Sequence, residues 1–288
     1  MPLSEVTQVL AGFEIILFVG AIVAGIVGAL AGLGGGVLIV PLLTVAFGVD
    51  IRYAIGASIV SVIATSSGAA AAYVRDRITN MRVGMFLELA TTSGAIVGAL
   101  VAGLVHSTFL FIVFGLALAS SALPMVVKIG EELPEGVVSD RWARRLRLAS
   151  SYPDAVLGRT VAYEVTRVPL GFGMMVVAGL LSGLLGIGSG AFKVLAMDTA
   201  MRLPMKVSTT TSNFMIGVTA AASAGIYFAR GDVNPLIAAP VALGVLAGAA
   251  IGSRLLMRLH TLTLRKLFVP LMLLIALEMI LRGLGVQT

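Results

Sequence analysis

Two glycine-rich interruptions, Gly32–Gly36 and Gly186–Gly190, lie 154 positions apart inside apolar stretches, and a ladder of other residues repeats at the same offset. Val23-Ala24-Gly25 aligns with Val177-Ala178-Gly179, Tyr73 and Asn80 with Tyr227 and Asn234, and Gly94 and Gly98 with Gly248 and Gly252. The match runs from 23–101 onto 177–255 without insertion. Hydrophobic segments broken at corresponding places in two halves of a chain are a sequence pointer to a binding site between membrane-embedded repeats.

The surroundings of the ladder fix the solvent. Apolar runs at 13–31, 53–74, 83–105, 108–127, 170–186, 207–229, 235–253 and 267–281 approach or exceed the roughly 20 residues a helix needs to cross hydrocarbon. Charged residues make up 12% of the chain, against about a quarter in soluble domains. Mean hydropathy is +1.05. The runs are apolar all round, which excludes a β-barrel with its period of two. The expectation is an all-α polytopic membrane protein with two inverted-topology repeats, each a broken or re-entrant helix pair followed by three transmembrane helices. The repeats are placed at 13–128 and 169–284. Between them 129–168 holds over a third of the charged side chains and forms a cytoplasmic linker.

Orientation follows from the basic residues. Arg75, Arg77 and Arg82 share one short loop, and the linker adds Arg141, Arg144, Arg145, Arg147, Arg159 and Arg167 on the same side. In the second half the bias moves to the next loop, with Arg254, Arg258, Arg265 and Lys266. The second repeat is therefore expected upside down relative to the first, with both termini outside the inner membrane of a prokaryote. Whether the short helices at 37–48 and 191–202 cross fully or dip and return stays open. In the linker, Ser139–Ser150 reads as a helix capped by Ser139.

Candidate site residues follow the breaks. Gly34, Gly35 and Gly36, with Gly188, Ser189 and Gly190, have two credible uses. One is close helix crossing. The other is an interruption that frees backbone N–H groups and aims a helix end at an anion. Lys193 lies in the first turn after the second break. A lysine at bilayer depth costs about 2.5–3.5 kcal/mol on insertion scales, which marks it for snorkelling, for pairing with Asp198, or for a substrate anion. Ser58 and the run Thr210, Thr211, Ser212 and Asn213 carry hydroxyls and an amide that either bond their own helix or donate to an oxyanion. Glu88 is a lesser candidate, as a proton relay within a span.

Several classes drop out. There are no cysteines, hence no disulfide, iron–sulfur or thiolate zinc site. His106 and His260 stand apart from any carboxylate cluster, and no nucleophile accompanies a base, so no enzyme, metal or cofactor is expected. The net charge of +6 reflects arginines flanking spans rather than nucleic acid.

Gly28-x3-Gly32-x-Gly34-Gly35-Gly36 with Pro41, Ala54-Ile55-Gly56-Ala57-Ser58, Gly186-Ile187-Gly188-Ser189-Gly190, Pro204-Met205-Lys206 and Thr211-Ser212-Asn213 together resemble the TauE/SafE family of sulfite and organosulfonate exporters. Ser189 departs from the middle glycine and Leu195 from the proline matching Pro41. The resemblance implies secondary export of a small sulfur oxyanion or sulfonate, sulfite first. Import, an anion channel, coupling to protons or another ion, and assembly as a homo-oligomer are left open by the residues.

Overall fold

A computed structural model describes residues 3–31, 36–75, 78–127, 136–154, 158–256 and 261–286. Gly34 and Gly35 lie outside the described residues. The chain is a helical membrane protein. Helix α1 (Leu3–Ala31) leads to a short α2 (Gly36–Pro41), which continues as a π-helical stretch, Leu42–Ala46. Then come α3 (Ile51–Arg75), α4 (Met81–Leu104) and α5 (Ser107–Val127). The linker holds α6 (Arg141–Leu146) and a hairpin of β1 (Ser150–Asp154) and β2 (Arg159–Tyr163). The second half runs α7 (Val168–Leu185), α8 (Gly190–Leu195), a π-helical stretch Ala196–Ala200, α9 (Met205–Arg230), α10 (Pro235–Leu256) and α11 (Thr261–Gly283). Among the described residues, α4, α7, α9 and the 235–252 part of α10 are long and apolar enough to cross a membrane. Shorter apolar helical stretches occur at Gly12–Gly28, Gly36–Ala46, Ile51–Ser67 and Ser107–Ala122.

Element bounds recur at the sequence offset. Helices α2 and α8 begin at 36 and 190, the π-helical stretches at 42 and 196, and α3 and α9 at 51 and 205. Both π-helical stretches end in the same backbone closure, with Val49 N–H donating to Leu43 C=O at 2.9 Å and Leu203 N–H to Met197 C=O at 3.0 Å.

Packing crosses between the halves. Helix α1 lies on α10 and α4 on α7, while α3 faces α9 and α5 faces α11. Glycine makes these approaches close enough for backbone to meet backbone, as small residues do between membrane helices. Gly94 sits against the backbone of Val176 and Leu180, and Gly248 against Ile22 and Ile26, the residues 154 positions away. Gly25 faces Val245 in the same manner as Gly179 faces Thr91. Helices α3 and α9 run antiparallel, with Gly56 beside Asp232 and Ser66 beside Gly217. Helices α4 and α9 run parallel, since Asn80 meets Thr211, Glu88 meets Thr219 and Ala99 meets Arg230 in ascending order.

The linker is a folded cap. Ala143, Leu148, Tyr152 and Val165 are buried with Val83, Leu87, Met197 and Met201. Asn80 Nδ2 donates to Leu148 C=O at 2.9 Å and to the Tyr163 hydroxyl at 2.8 Å, and Arg82 donates to Arg147 C=O at 3.0 Å. Burial pushes the Tyr163 phenol above its ordinary value. The expected helix over Ser139–Ser150 is corrected to six residues. Its cap is Asp140, whose Oδ1 accepts from Ala143 N–H at 2.7 Å and whose Oδ2 accepts from Val168 N–H at 2.9 Å. A carboxylate has two acceptors and so caps α6 while tying it to α7, and the Ser139 hydroxyl is taken by Glu164.

In each half a residue before the break meets one beyond the π-helical stretch. Thr166 N–H, just before α7, donates to Met201 C=O beyond the π-helical stretch at 3.2 Å, and in the first half Phe13 packs edge-on against Phe47. Eleven-residue segments at about 1.5 Å per residue reach roughly 16 Å, about half the hydrocarbon thickness.

Gly94→Ala and Gly248→Ala each push a methyl into backbone and are expected to cost about 1–3 kcal/mol. Gly173 has open space around its Cβ position, so Gly173→Ala is expected to be neutral or to stabilise by about 0.5–1 kcal/mol. Thermal melts in detergent check this; equal melting temperatures for the three variants would contradict the backbone contacts.

Candidate functional site

The second break is the better described of the two. Helix α7 ends where Gly186 adopts φ 67°, and Gly188 and Ser189 follow at φ 70° and 49° before α8 begins. Glycine takes left-handed backbone without penalty; Ser189 takes it at a cost. The whole stretch 182–190 is buried, so its backbone groups need partners from protein.

Hydroxyls from neighbouring helices supply many of them. Ser58 Oγ lies 2.8 Å from Gly186 C=O and 3.0 Å from Gly36 C=O, where its single proton serves one at a time. Ser212 Oγ donates to Gly190 C=O at 3.1 Å, the same contact one repeat later. Tyr227 donates to Gly183 C=O at 2.7 Å. Apolar side chains close the rest. Ile55 and Ile59 abut Gly186, Val62 and Ile216 abut Gly188, and Val62 abuts Gly36.

The polar run on α9 divides by face. Thr210 donates within its own helix, to Lys206 C=O at 3.0 Å. Thr211 accepts from Asn80 N–H at 3.0 Å and so holds the start of α4. Ser208 Oγ is buried without a partner, and Asn213 is half-buried. Of the expected binding groups, the structure thus brings Gly36, Ser58, Gly188, Ser189, Gly190 and Ser212 to the breaks. Thr210 and Thr211 do other work.

Lys193 is fully buried at 0% exposure, which excludes snorkelling. Its Nζ donates to Thr219 Oγ1 at 2.6 Å, and that oxygen lies 2.7 Å from Glu88 Oε1. The carboxylate that the bridge brings to Lys193 is thus that of Glu88. Thr92 donates to the same Glu88 oxygen at 2.9 Å, while Glu88 Oε2 is buried with no partner among the described residues. A Lys–Thr–Glu bridge therefore joins α8, α9 and α4 in the interior. Thr219 was not a candidate on sequence grounds and Glu88 only a minor one. The available signal was electrostatic: a buried lysine requires a counter-charge, and Glu88 is an acid well inside an apolar span.

Metal binding has no support in side-chain clustering: among the described residues no three His, Cys, Asp or Glu side chains group together. The arrangement puts a cation, hydroxyls and a carboxylate together in the buried interior.

Ser58→Ala leaves the buried Gly186 C=O without its side-chain donor and removes the hydroxyl that links the two breaks, and is expected to cost about 1–3 kcal/mol. Ser61 only bonds back to Ala57 C=O in its own helix, so Ser61→Ala is expected to cost less than about 1 kcal/mol. Detergent melts of the two variants compare them directly, and equal losses would contradict the bridging role of Ser58.

Known proteins resemble the chain along most of its length. The family model for the sulfite exporter TauE/SafE matches residues 17–279. A protein named probable membrane transporter protein YunE, from Bacillus subtilis (strain 168), is 29% identical over 93% of this chain and 98% of its own. Two others named as probable membrane transporter proteins are YdhB of the same organism, 24% identical over 83% of this chain and 87% of its own, and ORF9 of Sinorhizobium sp, 25% identical over 94% and 92%. No solved structure matches.

Proposed function

Given that the chain belongs to the sulfite exporter TauE/SafE family of membrane transporters, we propose that it is a secondary transporter that exports a small sulfur oxyanion or sulfonate, sulfite first, across the cytoplasmic membrane. The observation that carries the reading is Lys193, a lysine with 0% exposure just beyond a buried helix break. Intramembrane cations mark solute pathways by default, and a cation selects an anion. Ser189 and Glu88, each with an unpartnered buried oxygen, flank it through α8 and the Thr219 bridge.

The halves act as two inverted repeats around that site. The recurrence of element bounds at one offset, and the antiparallel course of the equivalent helices α3 and α9, support this. Alternating access then comes from rocking one set of helices against the other, with the breaks as the moving closure. An inside-negative potential favours exit of an uncompensated anion by about 2.3 kcal/mol per charge per 100 mV. An anion channel or an importer for a related anion is the second reading, favoured by nothing specific in the geometry.

Flux of radiolabelled sulfite, thiosulfate and taurine into proteoliposomes tests the proposal. A carrier saturates and shows counterflow, and Lys193→Met is expected to lower flux by about tenfold or more, in line with loss of a buried charge contact. Currents without saturation would indicate a channel, and unchanged flux in Lys193→Met would remove Lys193 from the site. The linker is assigned to the cytoplasm and both termini to the outside. The chain lacks cysteine, so a single Val138→Cys, at a position 74% exposed, reports the side. Membrane-impermeant maleimide is expected to label it in inverted vesicles and not in intact cells; the reverse pattern would flip the orientation.

A further inference from the structure

Lys193 already has a negative partner, and that fact constrains how an anion can reach it. We infer that Glu88 is an internal surrogate for the transported anion: substrate binds Lys193 only as Glu88 takes up a proton, so that one proton accompanies each anion. The inference rests on the reading of Lys193 as the substrate's cation.

The geometry supports exchange rather than a permanent brace. A structural ion pair in an apolar interior is stable when its remaining donors and acceptors are met. Here Lys193 Nζ gives one hydrogen bond, to Thr219, out of the three an ammonium can make. Glu88 Oε2, buried with the rest of its residue at 9% exposure, has no partner among the described residues. Ser189 Oγ, one turn before Lys193 and 2% exposed, has none either. Three polar groups, on α4, on α8 and in the preceding break, therefore have unused bonding capacity among the described residues. Thr219 makes the link adjustable. Its oxygen accepts from Lys193, and its one proton has three acceptors in reach, Glu88 Oε1 at 2.7 Å, Met215 C=O at 2.8 Å and Thr91 Oγ1 at 3.4 Å. The hydroxyl can turn to its own helix when Glu88 is neutral, without Lys193 losing its partner.

The charges around Glu88 are few. Helix α7, packed on α4, carries no ionisable side chain. On α9, Lys206 and Arg230 stand at the two ends, and Arg230 is bound to Asp232 and to Ala99 C=O. On α4 itself the other charge is Arg82 in the first turn, held by the linker at Arg147 C=O. From α8 the facing charge is Lys193, joined to Glu88 through the Thr219 hydroxyl. The step balances: a proton from solution converts the Glu88 carboxylate to the acid, and the arriving anion takes its place beside the Lys193 ammonium. For a monovalent anion the loaded and empty sites then carry equal charge, so the membrane potential does not act on the loaded step and net export runs down the combined gradients of the anion and its proton.

Anion binding to the purified full-length chain in weakly buffered detergent solution, followed by a pH indicator, tests this with thiosulfate and methanesulfonate, which do not titrate near neutrality. Linkage requires that whatever factor protonation adds to anion affinity, the anion adds to proton affinity, a factor of about 5–150 in typical couplings. Wild type is expected to take up about one proton per anion bound, thiosulfate and methanesulfonate alike, and to bind more weakly as pH rises. Glu88→Gln is expected to bind with no proton uptake and no such pH dependence. Binding by wild type without proton uptake overturns the inference, and that measurement stands whether or not the variant folds. Equal uptake by wild type and a folded Glu88→Gln overturns it as well. Failure of wild type to bind sulfite, thiosulfate or methanesulfonate at any pH overturns the anion-site reading itself, and with it this one.

Discussion

Interrupting a helix inside an apolar layer strands backbone carbonyls and amides that water cannot reach, and the interior of this protein is organised around meeting them. At the second break the carbonyls of Gly183 and Gly186, past the reach of α7's own ladder, are met by Tyr227 and Ser58, and Ser212 adds a bond to Gly190 C=O at the start of α8. Each bond crosses between helices, so the break can persist only while its neighbours stay in place. Satisfying a backbone group here is the same act as positioning one helix against another.

The second consequence is intimacy between the halves. Neither half buries its own first helix; α1 lies on α10 and α7 on α4. The contacts are backbone on backbone through Gly25, Gly94, Gly179 and Gly248, which favours sliding or rocking of smooth helical surfaces over local rearrangement of large side chains. Charged groups at the rims hold rather than recognise: Arg282 bonds Glu278 at 3.1 Å and the carbonyls of Thr44 and Val45, closing the end of the first π-helical stretch. The interior charges on Lys193 and Glu88 have no such complement of partners, and this contrast separates anchoring from recognition.

Much of the helical layout was legible in the sequence because long apolar runs mark the spans. The short helices and the starts of α3 and α9 begin at one common offset, 36 with 190 and 51 with 205. Lys193 was legible too, as a charge out of place in an apolar run. Its partner was not, since periodicity places a residue on a face without saying which distant helix opposes it; only the parallel course of α4 and α9 brings Glu88 to Thr219. Ser58 and Ser212 were legible as polar groups near the breaks, yet hydroxyls that donate to carbonyls and hydroxyls that donate to a solute look alike in one dimension. In the linker, a basic connector concealed a hairpin and a buried cluster, because Tyr152 and Val165 are buried by helices far along the chain. The Ser139 cap lost to Asp140 for a local reason, the second acceptor of a carboxylate.

The central claim is that the interior cation Lys193 holds the transported anion once Glu88 releases it. A structure determined with saturating sulfite at low pH measures this most directly. The account predicts sulfite oxygens within hydrogen-bond distance of Lys193 Nζ and Ser189, between α4, α8 and α9. Sulfite bound only at the arginines of the linker, with Lys193 still held by Thr219 and Glu88, would contradict it.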